Sequence, residues 1–318
     1  MGLVDISGPV VAIGEVMLEL SGPEPDNKRL AWAGDTANTL VYLSRLGAQT
    51  SYLTALGRDP YSEMIEKGLD GEGIDTGFVL RHPSRLPGLY TITTAASGER
   101  SFHYWRGQSA ARAFFELEES AGALLHAASA GVLYLTGVTL SIFTSAERAQ
   151  LIDRARRVRA NGGHVAFDPN YRETGWESAN IARQAVEAIA PHVSLALPTR
   201  DDEDKLFGTL AEAEHIQRWL DAGADEVALK CGADGAVVAS RESEPATIPA
   251  ESPAAVVDTT GAGDSFNAAY LAARLGGASP SDAAAAGNRL AALVIGYRGS
   301  IIPAECMAQS DMGLSKSL

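Results

Sequence analysis

The sequence predicts an α/β protein: a mainly parallel sheet flanked by helices, with a small inserted β lid. Two observations predict this class. Short apolar runs of β type alternate with longer helical stretches, which is typical of repeated βαβ units. One polar hairpin interrupts the alternation, and such a hairpin has little use inside a parallel sheet. The chain has 318 residues, 46% of them apolar, which is enough for a substantial core.

The elements follow in order along the chain. Val10 to Leu20 is predicted as a strand, Asp35 to Leu46 as a helix that ends at Gly47, and Ser51 to Gly57 as the next strand. The later strands are Val132 to Thr136, His164 to Asp168, Val193 to Leu197 and Glu226 to Lys230. The later helices are Thr144 to Ala160, Asp201 to Ala222, Gly263 to Leu275 and Ser281 to Tyr297.

The predicted hairpin lies between Gly88 and Arg106. Its strands are Leu89 to Thr94 and Ser101 to Trp105, joined by residues 95–99. Together with the Glu19 to Trp32 stretch it forms a small sheet that projects from the main domain and covers a site. We therefore expect one domain over residues 1–318, with lid segments at about 17–33 and 88–108.

Charge and composition exclude several classes of partner. The formal net charge is -14, and an acidic chain without a stripe of Lys and Arg does not suit nucleic acid. The two cysteines form no disulfide framework or zinc motif,. We see no signal peptide and no apolar run long enough for a membrane span. These observations predict a cytoplasmic protein that binds neither nucleic acid nor membrane.

The most informative motif runs from Asp258 to Tyr270, where a Gly-rich turn passes into an Ala-rich helix. Unpaired N–H groups and the positive end of the helix dipole make such a turn an anion site. An Asp among these donors repels a phosphate, so Asp264 suggests a second role, accepting a proton from an attacking hydroxyl. The alternative is that Asp264 is an ordinary helix-start residue.

The whole stretch resembles the second signature of the PfkB family of carbohydrate kinases, which has the ribokinase-like fold. The resemblance implies ATP with Mg²⁺ as cosubstrate and Asp264 as the catalytic base. It implies that the backbone N–H groups of Gly261, Ala262 and Gly263 form the anion hole. Asp258 and Thr260 match positions that bind a monovalent cation such as K⁺ in many members, and bracing the turn is the alternative.

The resemblance also implies a nucleotide site. The loop after the strand ending at Lys230 matches the family's nucleotide loop, although a generic turn would use similar residues. The implied nucleotide-binding residues are Asn170, Arg172, Lys230, Gly232, Ala233, Asp234, Gly235, Gly261, Gly263 and Asn288. The family's N-x-x-E motif reads Thr199-Arg200-Asp201-Asp202 here. Asp202, with the adjacent Glu203, is a candidate for a hydrated Mg²⁺, and a solvated helix start is the alternative.

Several local matches resemble the 2-keto-3-deoxygluconate kinases of the family. Residues 34–39 resemble part of their G-G-D-T-x-N-T element, and Ala33 stands where that element has its first glycine. A position that needs positive φ would tolerate Ala poorly. Tyr104 and Arg106 face one side of a predicted strand, and Tyr90 joins them from its partner. Arginine forks and tyrosine hydroxyls suit a carboxylate. The implied substrate residues are Gly34, Asp35, Asn38, Tyr90, Tyr104, Arg106, Arg172 and Asp264.

These observations favour an ATP-dependent kinase that phosphorylates the 6-hydroxyl of 2-keto-3-deoxygluconate or its galactonate epimer. The alternatives are a PfkB kinase for another sugar, of the fructokinase, ribokinase or 5-dehydro-2-deoxygluconokinase type, and a catalytically silent sugar- or nucleotide-binding homologue. Exposed edges on a small lid sheet invite pairing, so we expect a homodimer or higher oligomer.

Overall fold

A computed structural model describes residues 7–24, 26–94 and 100–308. Its strands are β1 (Val10–Ile13), β2 (Met17–Glu24), β3 (Asn27–Ala33), β4 (Thr50–Leu56), β5 (Val79–Arg81), β6 (Gly88–Thr94), β7 (Arg100–Trp105), β8 (Val132–Thr136), β9 (His164–Asp168), β10 (Leu195–Ala196), β11 (Glu226–Lys230), β12 (Ala236–Ser240) and β13 (Ser243–Ile248). Its helices are α1 (Asp35–Arg45), α2 (Pro60–Gly71), α3 (Ser120–Ala128), α4 (Gly137–Ser141), α5 (Ser145–Ala160), α6 (Ala179–Ile189), α7 (Arg200–Phe207), α8 (Glu212–Ala222), α9 (Ala262–Leu275), α10 (Pro280–Val294) and α11 (Ala304–Ala308).

Nine strands form the large sheet, in the order β13-β12-β11-β10-β9-β8-β1-β4-β5. The strands from β11 to β5 run parallel, and β12 and β13 are antiparallel at one edge. Two apolar clusters, which together include residues of β1, β8 and β11, pack between this sheet and the helices. The predicted parallel α/β architecture is therefore confirmed.

The four remaining strands form a separate small sheet in the order β3-β2-β6-β7. β6 and β7 pair antiparallel, as the predicted hairpin requires; residues 95–99, its predicted turn, lie outside the described residues. The prediction of one strand over Val10 to Leu20 is wrong. β1 ends at Ile13 in the large sheet, and β2 begins at Met17 in the small one. Continuous apolarity hid this change of sheet because both strands are buried.

The single helix predicted over Asp201 to Ala222 is also wrong. α7 ends at Phe207, and Gly208 follows with φ 93°, a left-handed value that glycine adopts easily,. α8 then begins at Glu212. The last predicted helix, Ser281 to Tyr297, is α10 and ends earlier, at Val294.

A buried ion pair fastens α9 to the large sheet. Arg274 near the end of α9 donates to both carboxylate oxygens of Glu226 at the start of β11, at 3.0 Å each. Tyr270 donates to the same carboxylate at 2.7 Å. Since Arg274 and Glu226 are both almost fully buried, this contact fixes the helix that carries the Gly-rich motif. In the described part of the chain, no helix is long and apolar enough to cross a membrane.

Candidate active site

The Gly-rich turn opens α9, as its sequence predicts. Gly261 caps the helix with φ 79°, and a Cβ at this position would lie 2.8 Å from Ser300 Cα. Only glycine meets both requirements, the left-handed backbone and the close approach. Ala262 and Gly263 follow in the first turn of α9, where backbone N–H groups have no partner within the helix,. The turn can therefore hold an anion.

Asp264 lies in this first turn and is held by a neighbouring helix. Its Oδ2 accepts a hydrogen bond of 2.8 Å from Asn38 Nδ2, on α1. Burial raises the pKa of Asp264 to about 7, and the nearby Asp35 carboxylate raises it further than burial alone would, whereas Asn38 opposes the shift,. The structure thus brings Asp264, Asp35 and Asn38 together, and it gives Asp264 a pKa suited to proton transfer near neutral pH.

The carboxyl ends of β9 and β11 contribute a second buried network. Lys230 Nζ donates to Asp168 Oδ2 at 2.6 Å and to Asn267 Oδ1 at 2.9 Å. Asn267 Nδ2 donates to Asp168 Oδ2 at 2.6 Å and to Tyr134 Oη at 3.0 Å. Ligands of open α/β sheets bind at this edge of the sheet. The hydrogen bonds of Lys230 are with Asp168 on β9 and Asn267 on α9, so its side chain lies in the interior of the protein.

Asn170 connects this network to α1. Its φ is 35°, a left-handed value that Asn tolerates better than other residues with a Cβ,. Its N–H donates to Asp168 Oδ1 at 3.0 Å, and its Nδ2 donates to Asp35 Oδ2 at 2.9 Å. Backbone conformations of this kind cluster at functional sites. The predicted nucleotide residue Asn170 therefore contacts the predicted sugar residue Asp35.

The predicted nucleotide loop joins β11 to β12 through a short 3₁₀ turn over Gly232–Asp234. Apart from its chain neighbours, no described residue has an atom within 4 Å of a Cβ built at Gly232, so this side of the loop is open to a ligand. Asp234 forms an ion pair of 2.8 Å with Arg200, and Ala233 lies beside it. Gly235 completes the turn with φ 96°. Asn288 on α10 donates to the carbonyl of Pro249 at 2.9 Å, which places it behind the end of β13.

Arg172 and Asp202 face each other at the same edge of the sheet. Arg172 Nη1 lies 3.2 Å from Asp202 Oδ2. Burial raises the pKa of Asp202, and Arg172 opposes the shift. Glu203, the second acidic candidate, points elsewhere: it is fully buried and pairs with Arg218 on α8. Among the described residues, no group of three His, Cys, Asp or Glu side chains could hold a metal ion.

Asp258 braces the turn before α9. Its Oδ1 accepts from the N–H of Thr260 at 2.8 Å, and its Oδ2 accepts from the N–H of Gly299 at 2.7 Å. The carboxylate therefore ties the Gly-rich turn to the segment after α10. This geometry fits the bracing alternative for Asp258 and Thr260.

The predicted sugar residues of the small sheet share one face. Tyr90 pairs with Tyr104 in register, and their rings lie 5.8 Å apart. The guanidinium of Arg106 lies 6.0 Å from the centre of the Tyr104 ring. The three side chains that the spacing placed together are therefore together.

Two glutamates hold this face, and both were missed by sequence reasoning. Glu15, between β1 and β2, is buried and pairs with Arg106. Glu19 on β2 is buried and accepts a hydrogen bond from Tyr90. Charged residues inside the apolar run from Val10 to Leu20 were the available signal, since a buried carboxylate needs a partner. Asp168, Asn267 and Ser300 were missed as well; Ser300 Oγ donates to Asn38 Oδ1 at 3.2 Å.

The segment that enters α1 is unstrained. Ala33 is the last residue of β3 and pairs with Met17 in an extended strand. The replacement of the usual glycine by Ala33 therefore has no conformational cost. Gly34 caps α1, and a Cβ there would lie 2.1 Å from the carbonyl oxygen of Glu15. The close approach, and not positive φ, requires glycine at position 34.

The chain is similar to known carbohydrate kinases over nearly its whole length. The profile described as pfkB family carbohydrate kinase matches residues 8–306. The chain is 42% identical to 2-dehydro-3-deoxygluconokinase of Escherichia coli over 308 residues, which cover 95% of this chain and 99% of that protein. It is also 42% identical to the 2-dehydro-3-deoxygluconokinase of Dickeya dadantii, over 94% of this chain and 98% of that one.

A solved structure extends the comparison to the fold. The crystal structure of a PfkB protein from a Polaromonas species superposes with a TM-score of 0.81 and 26% identity, covering 96% of this chain and all of that one. The chain belongs to the pfkB family of carbohydrate kinases, as the family profile, the near full-length relatives and the shared architecture show.

Proposed function

We propose that the protein is an ATP-dependent 2-keto-3-deoxygluconate kinase, which transfers the γ-phosphoryl group to the 6-hydroxyl and gives the 6-phosphate and ADP. The observation that carries the proposal is Asp264: a half-buried carboxylate in the first turn of α9, beside the Gly261–Gly263 turn and held by Asn38. Relatives at 42% identity over nearly the whole chain are named for this substrate, also written 2-dehydro-3-deoxygluconate.

The proposed division of roles follows the geometry. Asp264 accepts the proton of the attacking hydroxyl, and the N–H groups of the Gly261–Gly263 turn stabilise charge on the transferring phosphoryl group. Asp35 and Asn38 position the sugar hydroxyls from the start of α1. The loop at Gly232–Gly235 lies along the nucleotide, and Asn170, Lys230 and Asn288 belong to the same proposed nucleotide site. The small sheet acts as a lid on the same domain.

Magnesium is expected with ATP throughout this family. Asp202 fits a magnesium ion held through water, because its carboxylate lies at the ligand edge of the sheet, 3.2 Å from Arg172 Nη1. Mg²⁺ characteristically keeps several waters and takes few carboxylates, so one Asp suffices. When bound, the ion would neutralise phosphate charge.

We propose that Arg106 and Arg172 bind the carboxylate of the sugar acid, with Tyr104 donating beside them. Glu15 occupies part of the Arg106 guanidinium, and a guanidinium has further N–H donors to offer. Tyr90 gives its only proton to Glu19, so its oxygen can only accept from the substrate. The Tyr90 position therefore suits a sugar hydroxyl, and the Arg106 position suits the acid group.

Arg106→Ala is expected to raise the KM for 2-keto-3-deoxygluconate roughly 10- to 100-fold, because charge-assisted hydrogen bonds to the substrate are lost. The KM for ATP is expected to change little. A coupled ADP-release assay over this acid, its galactonate epimer, fructose and ribose gives the measurement. Arg29→Ala, an exposed arginine on β3 of the same sheet, is the control. Because Arg106→Ala strands buried Glu15, the double variant with Glu15→Gln is measured in parallel.

Each outcome of this panel is informative. Turnover of a neutral sugar with an unaffected Arg106→Ala variant would contradict the carboxylate assignment and favour another PfkB kinase. No ADP release with any sugar would contradict a kinase and favour the silent homologue.

The ionisation of Asp264 predicts an acid limb in the rate profile. Burial raises the pKa of Asp264 to about 7, and only the carboxylate form accepts a proton. Below about pH 7, kcat/KM is therefore expected to fall tenfold for each pH unit, with the loss governed by one group. The measurement is kcat/KM for the sugar acid between roughly pH 5 and 9, with coupling enzymes in excess. A flat profile below neutrality would contradict the role of Asp264 as base.

Two further parts of the proposal concern assembly and ions. β3 and β7 form the two edges of the small sheet, and we propose that this sheet pairs with a second copy to form a homodimer in the cytoplasm, which light scattering can test.

We also propose a monovalent cation such as K⁺ beside Asp258 and Thr260. Exchange of KCl for tetramethylammonium chloride in the assay tests it.

A further inference from the structure

A buried ion pair lies behind the helix start that carries Asp264, and the proposed reaction does not use it. Lys230 ends β11 and Asp168 ends β9, and their charged atoms are 2.6 Å apart. Both side chains are more than nine-tenths buried. A buried pair of this kind is weak evidence for stability, because desolvation offsets its attraction. The position of the pair at the ligand edge of the sheet therefore indicates a role in function.

Contacts connect the pair to the proposed base. Lys230 Nζ and Asp168 Oδ2 both bond Asn267, which lies three residues after Asp264 and so almost one turn along α9. A Cβ built at Gly263, the residue before Asp264, would lie 3.8 Å from Lys230 Nζ. The ammonium thus lies directly behind the anion turn, and the buried charges of Lys230 and Asp168 both act on the Asp264 carboxylate.

Asp264 is surrounded by few charges. Asp35 and Asp168 disfavour its ionisation and Lys230 favours it, after the dominant effect of burial. The other titratable groups that interact with it from neighbouring elements are Tyr42 of α1, Tyr90 of β6, Tyr134 of β8 and Arg172 after β9. Tyrosines are neutral near pH 7, and the cation Arg172 acts on Asp264 less than Asp35, Asp168 and Lys230 do. The pair and Asp35 therefore dominate the local field.

We propose that Lys230 and Asp168 are positioning residues that set the charge state of Asp264, with opposite effects that nearly cancel in the intact pair. A nearby cation favours a carboxylate and a nearby anion disfavours it, and both effects are strong where water is absent. The proposal rests on the proposed role of Asp264 as base. It assigns the Lys230 side chain to the base, whereas the nucleotide contacts the open side of the loop.

The test compares the acid limbs of three variants. Lys230→Met leaves Asp168 uncompensated and is expected to move the limb up by roughly one pH unit. Asp168→Asn leaves Lys230 uncompensated and is expected to move it down by about as much. The double variant is expected to return the limb to near its wild-type position. Both kcat and kcat/KM are followed, since kcat/KM reports the free enzyme.

Controls separate this role from a structural one. Lys230→Arg keeps the charge and is expected to keep the limb. Glu226→Gln breaks another buried pair on α9 and is expected to change the thermal midpoint without moving the limb. The proposal would be overturned if the acid limbs of the two single variants moved in the same direction or did not move. It would also be overturned if Lys230→Met raised the KM for ATP and left the acid limb in place. If Lys230→Met fails to fold, Asp168→Asn against the double variant carries the same comparison.

The proposed function stands or falls separately. The wild-type protein alone tests it, through turnover of the sugar acid. If the wild type phosphorylates a different sugar, the same three variants are compared on that sugar.

Discussion

Replacing Asp264 by Asn is expected to lower kcat roughly 10²- to 10⁴-fold, the usual contribution of a positioned general base. Asn keeps the size of the side chain and can still contact Asn38, but it cannot take the proton of the attacking hydroxyl. Binding is expected to persist, because the backbone N–H groups of the turn are unchanged. The measurements are kcat in the coupled assay and ATP affinity by titration calorimetry.

The same substitution is expected to leave stability equal or higher at pH 8. The folded-state pKa of Asp264, about 7, lies above the unfolded value, so the folded protein holds this proton more tightly than the unfolded chain does. Ionisation therefore destabilises the fold, and the cost is fully present above pH 7. Asn removes it. Thermal unfolding at pH 8 thus distinguishes a lost base from a lost fold, and near-normal kcat in Asp264→Asn would refute the assigned chemistry.

The second large effect concerns stability. Glu226→Gln is expected to reduce the free energy of unfolding by about 3–5 kcal/mol, the range found when one partner of a buried ion pair is removed. Arg274 and Glu226 are almost fully buried, and Gln removes the carboxylate to which the guanidinium donates twice. Urea unfolding followed by circular dichroism gives the value, with Glu63→Gln as the matched control.

That control removes a pair at the opposite extreme of exposure. Glu63 and Lys67 lie 3.9 Å apart on α2, and their side chains are 60% and 79% exposed. A surface pair of this kind contributes at most about 1 kcal/mol. A loss below about 1 kcal/mol for Glu226→Gln, equal to the control, would show that the buried pair does not anchor α9.

The sequence alone was enough for the fold class because apolar periodicity and the Gly-rich motif are local signals. The alternating runs located most strands of the large sheet, and the polar hairpin located the small one. Local signals could not reveal that the chain changes sheets between Ile13 and Met17, because burial makes both strands apolar. The Gly208 break was visible as a residue, but the helical pattern on each side concealed it.

Site residues divide in the same way. Asp264 and Asn38 were predicted from motifs that resemble those of the family, and Arg106 from resemblance and from alternation along a strand. Their partners come from distant segments of the chain. Glu15 and Arg106 are 91 positions apart in sequence, and Lys230 and Asp168 are 62 positions apart. Pairings at such separations are set by sheet order, which periodicity does not encode.

The paired arginines have a consequence for how the substrate arrives. Arg106 already faces Glu15 and Arg172 already faces Asp202, on a chain whose net charge is -14. An approaching sugar acid therefore meets no long-range attraction, and electrostatic steering does not speed its encounter. In the proposed carboxylate site, selection happens on contact, when the substrate carboxylate shares guanidinium donors with Glu15 or Asp202. Such a pocket distinguishes between ligands by the exchange of hydrogen bonds. Negative charge alone does not strengthen the binding of an anion there.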